Sequence, residues 1–153
     1  MSFFGCTLGA RANSARPARS MTADLARLKT RADFLRVAAG RRRAVRPAFI
    51  VQAAPRPTKD ASGTSVRVGF TASRKVGNAV VRNRAKRRLR AIAAEVLPQM
   101  GHPGTDYVLV ARATASERPY AELLGDLEGA LRQLARQTAR DGSSERARTA
   151  VET

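Results

Sequence analysis

Residues 64–72 alternate in character. Val66, Val68 and Phe70 fall on one side of an extended strand, and Arg67, Gly69 and Thr71 on the other. After Gly77 the period changes. Val81, Ala85, Leu89, Ile92 and Val96 recur at helical spacing, with Asn78 placed to cap the first free amides. The same reading predicts a short helix from Arg31 to Ala39, opened by Thr30 with Asp33 three residues on and closed by Gly40. Residues 41–43 read as a basic loop. Residues 48–54 read as a strand with Phe49, Val51 and Ala53 inward and Ile50 and Gln52 outward, ended by Pro55 and Pro57. The polar connection from there to Thr64 suggests that the two strands form a hairpin. Pro98 and the turn of Gly101, His102, Pro103 and Gly104 follow the central helix, and residues 106–112 form an apolar strand. Pro119 suits the start of a last helix, whose stripe is Leu123, Leu124, Leu127, Leu131, Leu134 and Ala135. The order α-β-β-α-β-α makes a two-layer α+β sandwich, helices on a small sheet.

Charge changes this picture more than composition does. The 153 residues carry 29 Lys and Arg against 12 Asp and Glu, a net charge of +17, which points to nucleic acid or an anionic surface. No apolar run reaches membrane-spanning length. The single cysteine, Cys6, excludes an internal disulfide framework and a cysteine-based zinc site, which fits a reducing cytoplasm. No acidic residue lies between Arg74 and Arg90, and six of the nine residues 82–90 are basic. Lys86, Arg87 and Arg90 point away from the apolar stripe, Arg82 and Arg84 lie on opposite flanks, and Arg88 sits at its edge. Arg82, Lys86 and Arg90 are i,i+4 neighbours whose repulsion costs a few tenths of a kcal/mol per pair. A merely solvated face would interleave glutamate; this one calls for a polyanion.

Chemistry to cut that polyanion is missing from the pattern. His102, the only histidine, sits in a Gly-Pro turn. Asp24, Asp33, Asp60, Glu95 and Asp106 are scattered outside the basic centre, Glu122, Asp126 and Glu128 read as a solvated face, and Ser73 and Ser116 lack triad partners. The chain reads as an RNA binder with no protein active site.

Residues 67–90, RVGFTASRKVGNAVVRNRAKRRLR, resemble the signature of the protein subunit of bacterial ribonuclease P. The hallmark is the triplet Arg82, Asn83 and Arg84 after the approach from Lys75 through Gly77, Asn78 and Ala79 to Val80, and the resemblance extends over residues 28–136. It implies a small mixed sheet with a left-handed β-α-β crossover, where periodicity alone predicts a right-handed one. It implies a ribonucleoprotein endoribonuclease whose RNA subunit is the catalyst, using Mg²⁺ bound mainly by that RNA to remove the 5′ leader from precursor tRNA. Arg82, Asn83, Arg84, Lys86, Arg87 and Arg90 are then expected against the catalytic RNA or its phosphate-bound metal ions, with Arg74, Lys75 and Asn78 in the same RNA-binding set. Phe34, Gln52, Arg67 and Thr71 are expected to line a cleft for the single-stranded leader. Two departures reduce its stacking surface: Ala38 and Gln52 stand where the family often carries aromatics. The implied partners are ribonuclease P RNA, one protein per RNA, and the leader, in the cytoplasm and without a membrane.

By the same resemblance the domain covers residues 24–140. Residues 1–23 are expected to be a disordered extension, with Met21 near the usual start, and the polar residues 141–153 a disordered tail. A basic ribosomal or general RNA-binding protein of similar fold, without a role in cleavage, is the alternative, and a cleavage assay separates it. A free-standing nuclease would need a carboxylate cluster. A DNA-binding module would need base-reading side chains on the helix, which offers phosphate-type cations instead.

Overall fold

Thr30 opens the first helix as its spacing predicts. The Asp33 amide donates to Thr30 Oγ1 at 3.4 Å, and helix α1 runs over Arg31–Ala39. The computed structural model describes residues 25–57 and 65–151, with side chains through residue 143; the extension expected over residues 1–23 lies outside them. Helix α2 spans Ala79–Met100, capped by Asn78, whose Oδ1 accepts the Val81 amide at 3.0 Å. Ala85, Leu89, Ile92 and Val96 are buried as the stripe requires, joined by Ala93 and Leu97. Pro98 does not end this helix. It forfeits one amide, but the flanking Leu97 is fully buried and its carbonyl accepts the Gly101 amide at 2.8 Å, which closes the helix two residues later.

Helix α3 covers Tyr120–Val151 and buries Leu123, Leu127, Ala130, Leu131 and Leu134. It continues beyond residue 140, where a disordered tail was expected. Glu145, Arg146, Ala147, Arg148 and Ala150 are good helix formers. Asp141 is also tied back to the body by Arg42, Nε to Oδ2 at 2.9 Å.

Five strands form one sheet: β1 Leu25–Arg27, β2 Arg43–Val45, β3 Phe49–Pro55, β4 Val66–Ala72 and β5 Thr105–Ala111, in the order β1-β4-β5-β3-β2. Sequence patterning missed β1, and it read the start of β2 as loop because three arginines mask the alternation that buries Ala44. The predicted β3–β4 hairpin does not form. β5 lies between them, antiparallel to β3 and parallel to β4. The reason is burial: Tyr107, Val108 and Leu109 are consecutive and all buried, so β5 needs cover on both faces and takes the centre. The chain is therefore an α+β fold with a mixed five-stranded sheet and three helices, β4 and β5 being joined through α2. One sheet face, with Phe49, Val51, Ala53, Val66, Val68, Tyr107 and Leu109, packs into the main core with α2 and α3. The other carries α1 over a smaller cluster of Leu28, Val37, Ala54 and Val108, with Phe34 and Val110 against it.

Candidate nucleic-acid interface

The loop before α2 needs glycine once. Gly77 has φ 143°, and a Cβ there would meet the Val81 side chain at 3.2 Å. This turn leaves Arg74 and Lys75 exposed on the 3-10 turn ahead of the helix. On α2 itself, Asn83, Arg84, Lys86, Arg87 and Arg90 line one open depression of about 480 Å³ together with Val80, which is 75% exposed. Arg90 also lies 6.0 Å from the centre of the Phe70 ring, a distance that permits a cation–π contact. Arg82 is not part of the depression. It is half-buried, and its Nε is buried without a hydrogen-bond partner. Asn78 spends its side-chain oxygen on the helix cap. Arg88 is structural: it donates to the carbonyls of Ser116 at 2.6 Å, Ala115 at 3.3 Å and Arg118 at 2.6 Å, fastening α2 to the start of α3.

The second expected surface lies on the sheet face that carries α1. Strand register arranges it in rows. Arg67, Asp106 and Ala54 form the first, Gly69, Val108, Gln52 and Arg43 the second, and Thr71, Val110, Ile50 and Val45 the third. Helix α1 packs over the first two where they cross β3, β4 and β5, and leaves Arg43 on β2 exposed. Gly69 is required here, since a Cβ would stand 2.4 Å from Phe34 Cε1; its absence lets the ring lie on the sheet. The third row is open: Thr71, Ile50 and Val110 are half-buried, and Val45 is 53% exposed. The structure thus brings Phe34, Gln52 and Thr71 onto one face beside an open, largely apolar floor.

Arg67 shares that face but is pinned under α1. Its Nε and Nη2 donate to Asp106 Oδ1 and Oδ2 at 2.8 and 2.6 Å. Arg36 of α1 also donates to Asp106, and Arg56 Nε reaches it at 3.3 Å. Asp106 is the one charged residue that is fully buried among the described residues. Burial alone would raise its pKa, but the hydrogen bonds and charges of Arg67 and Arg36 outweigh this and hold the carboxyl below its ordinary value. Sequence reasoning placed Asp106 among scattered acids and missed Arg36 and Arg56. The useful signal was phase, because Asp106 shares its face with Val108 and Val110, yet only register sets it beside Arg67. Asp33 approaches Arg67 at 3.7 Å, but no group of three His, Cys, Asp or Glu side chains converges among the described residues. His102 stays in its turn, its amide donating at 3.1 Å to Tyr107 Oη, whose pKa is pushed up by burial. No helix among the described residues is long and apolar enough to cross a membrane.

Comparison with known proteins identifies relatives of this chain. The family model described as Ribonuclease P matches residues 23–135. The ribonuclease P protein component of Paramagnetospirillum magneticum is 54% identical over 114 residues, covering 74% of this chain and 86% of that protein. That of Ruegeria pomeroyi is 54% identical over 108 residues, covering 70% and 84%. Among solved structures, the Staphylococcus aureus RNase P protein superposes with a TM-score of 0.57 at 27% identity, over 69% of this chain and 92% of that one. The Thermotoga maritima RNase P protein shares the fold, with a TM-score of 0.56 at 24% identity over 67% and 92%.

Proposed function

The chain belongs to the bacterial ribonuclease P protein family, and from that premise we propose that its two surfaces divide the work of tRNA 5′ maturation. Members of the family are the protein component of a ribonucleoprotein endoribonuclease in which RNA is the catalyst, and the role in tRNA 5′ processing follows. The finer assignment rests chiefly on one observation: Asn83, Arg84, Lys86, Arg87 and Arg90 converge on a single open depression. Guanidinium groups make paired contacts to phosphate and lysine adds a point charge, so this face suits the backbone of the folded catalytic RNA. Arg74 and Lys75 extend it, and Arg82 joins it from its flank.

The open floor beside α1 takes the single-stranded leader. Phe34 offers a ring for stacking, Gln52 and Thr71 offer hydrogen bonds, and Arg67 contributes field from its seat on Asp106. Such a groove tolerates many sequences, because every base has a stackable face. One protein serves one catalytic RNA in the cytoplasm.

The family's chemistry uses Mg²⁺. The donor set on α2 does not fit a protein-held divalent ion, since guanidinium and ammonium groups repel it and no carboxylate lines the depression. The metal therefore belongs to the RNA. The test is cleavage of precursor tRNA with and without a bacterial ribonuclease P RNA. RNA-free protein is expected to be inactive with Mg²⁺ present, and added RNA subunit to give the mature 5′ end at low Mg²⁺. Robust cleavage by rigorously RNA-free protein would overturn the proposal.

A further inference from the structure

We propose that Arg43, on the edge strand β2, is a leader-contacting residue that extends the cleft beyond Gln52. The inference rests on reading the α1 face as the leader site. Arg43 pairs in register with Gln52, and Val45 with Ile50, so both project from the same face as the cleft floor. The intervening Ala44 is fully buried against the main core, which fixes the direction of its neighbours. The floor row therefore runs from Thr71 across Val110 and Ile50 to Val45, three interstrand spacings or about 14 Å. It ends beside an exposed guanidinium.

Two neighbouring arginines, Arg42 and Arg46, are used otherwise. Arg42 turns to α3, pairing with Asp141 and donating to Thr138 at 3.4 Å. Arg46 lies against α3, where a Cβ on Gly129 would meet its Nη2 at 3.0 Å. Arg43 is exposed, and no carboxylate lies within ion-pair distance of it among the described residues. The cleft lacks an aromatic at Gln52, the position next to it. A guanidinium plane supplies what is missing there: it stacks on a base and pairs with a phosphate at once, which neither Gln52 nor Thr71 can do. An apolar floor closed by one cation complements single-stranded RNA, with bases laid on the sheet and backbone toward solvent.

The test uses reconstituted holoenzyme and two precursor tRNAs, one with a long single-stranded leader and one with a single leader nucleotide. The parent protein is expected to bind the long leader more tightly. Arg43→Ala should shrink that advantage roughly tenfold, the size of one charge-assisted contact, and leave the one-nucleotide substrate unchanged. Arg43→Lys should recover part of the loss, since it restores charge but not the plane. Thermal melting of the Ala variant should match the parent. If Arg43→Ala keeps the parent's long-to-short affinity ratio, whatever its melting temperature, Arg43 does not touch the leader and the inference is wrong. A parent holoenzyme with no leader-length advantage would instead remove the leader reading itself, and this inference with it.

Discussion

Arg67 and Asp106 stand side by side across the parallel β4–β5 ladder, the guanidinium gripping both carboxylate oxygens at 2.8 and 2.6 Å. In a chain of net charge +17, this is the point where cationic side chains from α1, β4 and the segment after β3 are gathered onto one buried anion. Its position under α1, beside the open floor proposed for the leader, makes it a fold element that shapes that surface.

Its acid sensitivity follows from the pKa direction. Burial raises the Asp106 pKa, Arg67 and Arg36 lower it by more, and the net value is below the ordinary 3.8. A depressed folded-state pKa contributes stability that is fully present above 3.8 and is lost as pH falls through the folded value. Asp106→Asn should cost roughly 3–5 kcal/mol at pH 7, because three guanidinium groups lose their anion. Urea unfolding from pH 7 to pH 3 should show a smaller acid loss in the variant than in the parent. Equal losses would mean that Asp106 is not linked to folding.

Neighbouring arginines on α2 should separate cleanly. Arg87 is exposed in the depression, whereas Arg88 holds three carbonyls of the segment before α3. Arg88→Ala should destabilise by about 1–3 kcal/mol, since it strands three part-buried acceptors. Arg87→Ala should leave melting unchanged and weaken association with the catalytic RNA. Melts and RNA titrations of both variants check this, and indistinguishable profiles would refute the division.

Replacing Arg82 and Arg84 with Ala leaves the buried stripe intact and relieves like-charge repulsion on the helix. Stability should stay equal or rise slightly, and holoenzyme assembly or cleavage should fall, at about 1.5–3 kcal/mol per lost phosphate contact. Leu89→Ala keeps every cation but opens the core at a fully buried site, at a cost of about 2–5 kcal/mol. An early melt for the double arginine variant with normal cleavage per folded molecule would make those arginines structural.

Binding of a single-stranded leader should weaken steeply with salt. Each neutralised phosphate contributes roughly −0.7 to the slope of log affinity against log salt. Arg43→Ala should make that slope shallower by about one such unit. An affinity flat in salt would leave the basic excess without a role at this site.

Much of this protein was legible in one dimension because local rules suffice there. Thr30 and Asn78 cap the helices they were expected to cap, since a cap needs only an amide three residues away. The α2 stripe and its cationic back follow from a fixed helical period, so Asn83, Arg84, Lys86, Arg87 and Arg90, which line the depression, could be named from spacing and from the family signature. What failed was pairing. The alternation of β3 and β4 says which side chains share a face, but nothing local says that β5 will come between them. That outcome was decided by the need to cover Val108 on one side and Tyr107 and Leu109 on the other. The same register set Arg67 on Asp106, across 39 residues of sequence, and Arg43 beside Gln52. Arg88 and Arg87 are adjacent and chemically identical; only the docking of the segment before α3 makes one a clamp and leaves the other exposed in the depression. Periodicity is a property of the chain, whereas partners are a property of the packed core, and in a chain this rich in arginine the partner decides the role.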